Sequence, residues 1–115
     1  MLEIRDNNIW LTRGDTLTLT VALYQDQEDS RGATPYVPEE GDVIRFAVSK
    51  DYKGMPGYEL KLSKTIPHDT LTFTCSSSET ALDYETYNYD VEITHDDGCV
   101  DTFISGQLTI TGEVK

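Results

Sequence analysis

The residues best suited to chemistry lie close together in one short stretch. His95, Asp96, Asp97 and Asp101 offer one imidazole and three carboxylates. Such groups bind metal ions, but a calcium loop needs oxygen ligands at set positions around a glycine, and the pattern D-x-[DN]-x-[DN]-G is absent. The sequence therefore favours a hairpin tip whose carboxylates face solvent.

Catalytic chemistry has little support elsewhere in the chain. His68 follows Pro67, His95 lies in a predicted turn, and neither histidine belongs to a nucleophile or zinc motif. Carboxylate pairs are frequent in so acidic a chain, so no pair stands out as the acid and base of a glycosidase. We predict that the protein is not an enzyme, that it has no catalytic, metal-binding or cofactor-binding residue, and that it needs no cofactor.

The two cysteines, Cys75 and Cys99, are 24 positions apart and belong to no C-x-x-C or Cys/His pattern. Two half-buried thiols are favoured over the alternative, a cross-strand disulfide, because disulfides are rare in reducing compartments. Neither state implies chemistry.

Aromatic residues are a further candidate for binding. Three of the seven tyrosines, Tyr84, Tyr87 and Tyr89, lie within six positions. A strip of exposed aromatic rings could stack on sugars or form a protein interface. In an extended chain Tyr87 and Tyr89 share a face with Val91 and Ile93, so core packing is favoured for them.

The elements that must position these residues are short β-strands. Apolar and polar residues alternate with period two in several segments, as strands with one buried and one wet face require. The expected inward-facing sets are Leu17, Leu19, Val21 and Leu23; Ile44, Phe46 and Val48; Tyr58, Leu60 and Leu62; and Leu71, Phe73 and Cys75. Residues 87–110 predict a three-strand meander around the turn at 95–98, with its third strand beginning after Gly106.

Two connecting segments have distinctive compositions. Residues 25–42 form a long acidic loop, which is either mobile or used for contact, and Tyr36 either pins it to the domain or docks on a partner. We predict partner contacts for Tyr36, Glu39 and Glu40. Residues 76–83 carry serines ahead of Glu79 and predict a single helical turn at most.

This pattern predicts one domain over residues 1–115 that is all-β. About eight or nine short strands with almost no helix favour an immunoglobulin-like antiparallel β-sandwich. A small β-barrel is the alternative, because the number of strands does not decide whether a sheet closes.

Charge excludes several partners. Nine basic and 21 acidic residues give a net charge of −12 and a pI near 4.3. Such a surface repels phosphates, so neither nucleic acid nor an anionic membrane is expected as a partner. The first residues lack a signal-peptide pattern, and apolar runs fall far short of the roughly 20 residues that span a bilayer. We therefore expect the protein in the cytoplasm where it is made.

Three stretches together resemble a known family. They are Arg13-Gly14-Asp15-Thr16 before an alternating strand, residues 40–48 (EGDVIRFAV), and residues 87–110, which contain Y-x-Y-D-V, D-G and T-x-x-x-G-x-L-T-I. They are similar to small β-sandwich proteins of tailed phages and prophages of Gram-positive bacteria, including the N-terminal domain of upper baseplate proteins.

The resemblance implies a structural protein of the phage or prophage virion or tail that binds other phage structural proteins. It implies assembly in the host cytoplasm, then residence in the virion, and it is compatible with a homo-oligomer. An exposed edge strand is expected near Ile4 or at the strand ending at Val114. The alternative function is a carbohydrate-binding module, for which Trp10, Tyr24 or Tyr36 would stack on sugar rings.

Overall fold

The computed structural model describes residues 2–25 and 34–112. These residues form ten β-strands and no helix, so no described segment is a helix that could cross a membrane. The strands are β1 (Leu2–Arg5), β2 (Asn8–Thr12), β3 (Leu17–Thr20), β4 (Tyr24–Gln25), β5 (Thr34–Pro35), β6 (Val43–Ser49), β7 (Leu60–Ile66), β8 (Thr72–Cys75), β9 (Thr86–Thr94) and β10 (Val100–Thr111).

The main layer is a six-stranded sheet in the order β1-β2-β10-β9-β6-β7. Its neighbours are antiparallel except β2 and β10, which pair in parallel with Ile9 opposite Leu108. The sheet is open, with β1 and β7 at its two edges, so the closed alternative is not formed.

The second layer is the antiparallel pair β3 and β8. Leu17 and Cys75 face each other toward the interior, whereas Thr18 and Thr74 face outward and join their hydroxyls at 3.1 Å. A short antiparallel pair, β4 and β5, continues from this layer. Threonine outside and apolar residues inside are what a half-buried sheet requires, and the predicted alternation in this segment is confirmed.

The core lies between these two layers. Phe46 of β6 is fully buried, and its ring centroid lies 4.8 Å from that of Phe73 in β8 and 5.4 Å from that of Tyr89 in β9. Each large apolar side chain buried in this way contributes about 1.5–3 kcal/mol through the area it removes from water. Because the core joins two packed sheets, the predicted all-β sandwich is confirmed.

Tyr87 and Tyr89 both belong to the core, as predicted, with exposed fractions of 1% and 7%. Their hydroxyls still find partners: that of Tyr87 donates to the Asp83 carbonyl at 3.0 Å, and that of Tyr89 donates to the Asn7 carbonyl. Buried phenols need such acceptors, so these tyrosines fix the chain segments at 83 and 7 as well as filling space.

The predicted break at Gly106 is wrong. Residues 100–111 form one continuous strand, β10, that pairs with β9 from Val100 to Thr109, so the meander has two long strands instead of three. Gly106 is required for another reason: a Cβ there would lie 2.2 Å from the carbonyl oxygen of Asn7. The glycine lets the β1–β2 turn lie close against the sheet. In the sequence, a glycine needed for close packing cannot be told from one that marks a turn.

A bulge in β10 changes which side chains point inward. The register shifts between Thr102 and Ile104, so Phe103 is an extra residue. Phe103 and Ile104 are both half-buried and both pack against the core, whereas strict alternation assigned them to opposite faces.

Residues 76–80 form one turn and not a core helix, as predicted. The Ser76 hydroxyl accepts from the Glu79 amide at 3.3 Å, and the Glu79 carboxylate accepts from the Ser76 amide at 2.9 Å, which is a capping box without a helix behind it. Two other predictions fall outside the described residues: the edge at Val114 and most of the acidic loop, residues 26–33.

Candidate functional site

A polar cluster closes one end of the sandwich. Val43 pairs with Thr94, which brings the neighbouring residues Asp42 and His95 together, and the β9–β10 hairpin returns Asp101 to the same place. The hairpin turn is closed by the His95 amide, which donates to the Cys99 carbonyl at 2.8 Å. The tip predicted at 95–98 is therefore confirmed.

His95 lies between two carboxylates in this cluster. Its Nδ1 is 3.1 Å from Oδ1 of Asp42, and its Nε2 is 2.9 Å from Oδ2 of Asp101. The second oxygen of Asp42 accepts from the Tyr36 hydroxyl at 2.6 Å and from the Glu39 amide at 3.0 Å. We call Tyr36, Asp42, His95 and Asp101 the end cluster.

The electrostatics follow from these contacts. Hydrogen bonds to Asp101 and then Asp42 raise the pKa of His95, because both carboxylates favour the imidazolium. The hydroxyl of Tyr36, followed by the amide of Glu39, lowers the pKa of Asp42. The same bond to the Asp42 carboxylate, with burial next, raises the pKa of Tyr36 to about 12. The contacts of the end cluster thus favour the protonated forms of His95 and Tyr36.

The end cluster is suited to holding chain segments together. Both ring nitrogens of His95 and the hydroxyl of Tyr36 already have internal partners, which leaves them poorly placed to move protons for a substrate. Within the described ranges, no group of three or more His, Cys, Asp or Glu side chains is arranged to hold a metal ion. The geometry supports a clasp that fastens residues 36–42 to the β9–β10 hairpin.

Of the three predicted contact residues, Tyr36 belongs to the end cluster, and Glu39 and Glu40 lie next to it in the chain. Tyr36 is half-buried, with its ring centroid 5.0 Å from that of Phe103 and 6.0 Å from that of His95, so it pins the loop to the domain. Glu39 and Glu40 are exposed on the turn that precedes Asp42. A contact role for these three residues stays a prediction.

The two cysteines are free thiols, as favoured from the sequence, but the prediction that both are half-buried is wrong. Cys75 is buried in the second layer, and Cys99 is exposed at the hairpin tip. Burial raises the pKa of Cys75 to about 11. A hydrogen bond with Asp97 raises the pKa of Cys99.

A second candidate site lies at the β1 edge. Leu2 and Ile4 stand opposite Leu11 and Ile9, so they point to the core side of the sheet, yet 37% and 50% of their surfaces are exposed. The second layer does not reach over β1, and a cleft of about 610 Å³ opens there. Its lining includes Ile4, Leu19, Val21, Tyr24, Phe103 and Ile104. We call this the edge cleft.

The aromatic residues proposed for sugar stacking do not share a surface. Trp10 is half-buried and lies on the outer face of β2, because its neighbours Ile9 and Leu11 are buried. Tyr24 lines the edge cleft, and Tyr36 packs within the end cluster. These three rings therefore do not form one platform.

Sequence reasoning missed the end cluster because it joins residues from different strands. The sequence shows that His95 and Asp101 lie close together in one stretch, but it carries no signal for which strand pairs with the one that follows Asp42. Comparison of the chain with protein-family models, with curated proteins and with solved structures finds no match. The site must therefore be interpreted from its own geometry.

Proposed function

We propose that this protein is a structural component of a phage or prophage tail, which acts by binding other tail proteins through the edge cleft. The observation that carries the proposal is the exposure of Leu2 and Ile4 on the core side of an edge strand. Apolar side chains that point toward a core but remain open to solvent are typical of a surface that a partner completes.

The partner contributes an extended segment. Among the described residues β1 pairs only with β2, so its other edge offers backbone amides and carbonyls for a further strand. A strand added there makes main-chain hydrogen bonds, and its alternate side chains enter the edge cleft beside Ile4. This mode of binding needs no catalytic group. It agrees with the end cluster, whose polar side chains bond to one another.

Charge favours a basic partner. With 21 acidic and nine basic residues, the chain attracts basic surfaces and repels acidic ones. Glu39 and Glu40 add two exposed carboxylates beside the clasp. The family resemblance of residues 13–16, 40–48 and 87–110 supplies the class of partner, namely other tail proteins of the particle.

Replacing Ile4 tests this proposal. Ile4→Lys places a charge in the edge cleft without touching the core, because half of the Ile4 surface is already exposed. In a producing strain that carries only this variant, we expect at least a tenfold loss (about 1.4 kcal/mol) of the chain from purified particles, measured by quantitative mass spectrometry.

The matched control is Val100→Lys. Val100 is also an exposed β-branched strand residue, at 55%, but it lies at the hairpin end and outside the edge cleft. It should be incorporated as well as the wild type. Incorporation of the Ile4→Lys chain into particles at the wild-type level would contradict the proposed binding mode.

A further inference from the structure

A groove of about 280 Å³ crosses the outer face of the main sheet, on the side away from the core. Part of its floor is low because three of the outward residues there are small: Ala47 and Ser49 on β6 and Ser105 on β10. Its wall is the segment 50–59, which joins β6 to β7. Small residues beside a raised wall create a concave surface on a sheet that would otherwise be flat.

The wall presents two tyrosine rings to solvent. Tyr52 is 69% exposed and Tyr58 is 39% exposed, and both line the groove. The prediction that Tyr58 points inward is therefore wrong, because the strand begins only at Leu60 and Tyr58 belongs to the preceding turn. The backbone that carries them is ordered by turns: Met55 donates its amide to the Tyr52 carbonyl, and Tyr58 donates its amide to the Met55 carbonyl, each at 3.0 Å. At its base the Lys50 amide donates to the Glu59 carbonyl at 3.0 Å. The rings are therefore held on a fixed support.

Four polar side chains of the groove are open to hydrogen bonding with a ligand. The side chains of Arg45, Asn88, Asp90 and Gln107 line the groove, and none makes a hydrogen bond or ion pair within residues 2–25 and 34–112. Each can offer donors or acceptors to a ligand. Asn88 and Asp90 are half-buried between neighbouring strands, which fixes their positions.

The charges of the groove balance. Arg45 and Lys53 oppose Asp90 and Glu92, so the groove is neutral on a protein whose net charge is −12. A balanced set of charges selects a ligand by hydrogen bonds and shape, not by net charge. This separates the groove from the rest of the acidic surface.

We propose that this groove binds a neutral pyranose oligosaccharide. Pyranose rings combine apolar faces, which stack on tyrosine rings such as those of Tyr52 and Tyr58, with hydroxyls that bond to amides and carboxylates such as Asn88 and Asp90. A volume of 280 Å³ is near the lower limit of about 300 Å³ for ligand sites and suits about one or two rings of a longer chain.

This activity goes beyond the proposed tail function and is independent of it. The groove lies on the outer face of the main sheet, whereas the edge cleft opens between the two layers, so one site can be occupied while the other is in use. The rings that form the platform differ from Trp10, Tyr24 and Tyr36, which sequence patterns had suggested.

Nuclear magnetic resonance tests the proposal. The isotope-labelled protein is titrated with cellotetraose, maltotetraose and chitotetraose at millimolar concentrations, and amide shifts are followed. We expect at least one of the three sugars to cause saturable shifts at Ser49, Asn88 and Gln107. Tyr52→Ala should weaken that sugar's affinity about tenfold through loss of ring stacking.

The matched control is Tyr84→Ala. Tyr84 is 60% exposed but does not line the groove, so its removal should leave the affinity unchanged. The proposal is overturned if none of the three sugars causes shifts, if the shifts map away from the groove, or if Tyr52→Ala binds as the wild type does.

Discussion

His95 links two parts of the chain. Its imidazole bonds to Asp42, which precedes β6, and to Asp101 on β10. The protonated ring donates from both nitrogens, whereas the neutral ring can donate only one of the two bonds. His95, which in the sequence most resembled a catalytic or metal-binding residue, thus stabilises the fold by holding residues 36–42 to the β9–β10 hairpin.

The stability of the protein should depend on the proton of His95. The pKa of His95 is higher in the folded protein than its ordinary value of 6.5. The stabilising effect of its proton is therefore complete below pH 6.5 and is lost as pH rises through the folded-state pKa. Urea unfolding over this pH range should show the wild type losing stability as pH increases, whereas His95→Gln should lose less.

The control for this pH effect is His68→Gln, which removes the other histidine and leaves the end cluster intact. It should keep the wild-type decline with pH. Identical pH profiles for the wild type and His95→Gln would contradict the role assigned to the end cluster.

The two thiols should react at very different rates. Cys99 is exposed, whereas Cys75 is buried with its pKa raised to about 11, so little thiolate is available there. Titration of the native protein with a chromogenic disulfide reagent should modify one thiol, and the second should react only after unfolding. Two equally fast thiols, or none even in denaturant, would contradict this arrangement.

At the scale of elements, β10 connects the two halves of the main sheet, since it pairs with β9 on one side and with β2 on the other. Gly106 lies where the β1–β2 turn closes over this strand. The positive φ angles of Asp6 and Asn7, at 49° and 67°, make that turn tight enough to bring the Asn7 carbonyl against the strand.

Gly106→Ala should therefore destabilise the protein. Its Cβ would overlap the Asn7 carbonyl oxygen, and the turn must shift, at a cost of about 1–3 kcal/mol by comparison with other overpacked sites. The matched control is Gly112→Ala, for which no atom lies within 4 Å of the new Cβ. Denaturant unfolding that gives equal stability for both variants would refute the close approach.

The elements differ in how far sequence could predict them, for physical reasons. Strands β6 and β9 were predicted correctly because each has one face in the core, and period-two burial follows directly from that. The parallel pairing of β2 with β10, the length of β10 and its bulge depend on contacts between distant residues, which leave no local pattern.

The candidate sites divide in the same way. Local composition left Tyr36 open between holding the loop to the domain and contacting a partner, and it offered two exposed edges, one near Ile4 and one at the strand ending at Val114. The structure shows Tyr36 packed against Phe103 and β1 as an edge strand. The link from Asp42 to His95 depends on strand pairing, and the groove depends on how residues 50–59 fold back over small side chains, so neither could be predicted from spacing alone.

At the scale of the whole molecule, the sandwich separates three surfaces. The end cluster fastens one end, the edge cleft leaves apolar side chains of β1 open between the layers, and the groove occupies the outer face of the main sheet. An acidic protein with an open edge strand should be completed by a basic partner that covers Leu2 and Ile4.

The most direct test of the proposed tail function is quantitative mass spectrometry of phage particles purified from the producing bacterium after induction. The account predicts the wild-type chain at a constant ratio to the major tail protein across preparations and through further purification. Absence of the chain from intact particles, while it remains abundant in the cells, would contradict a structural role in the virion.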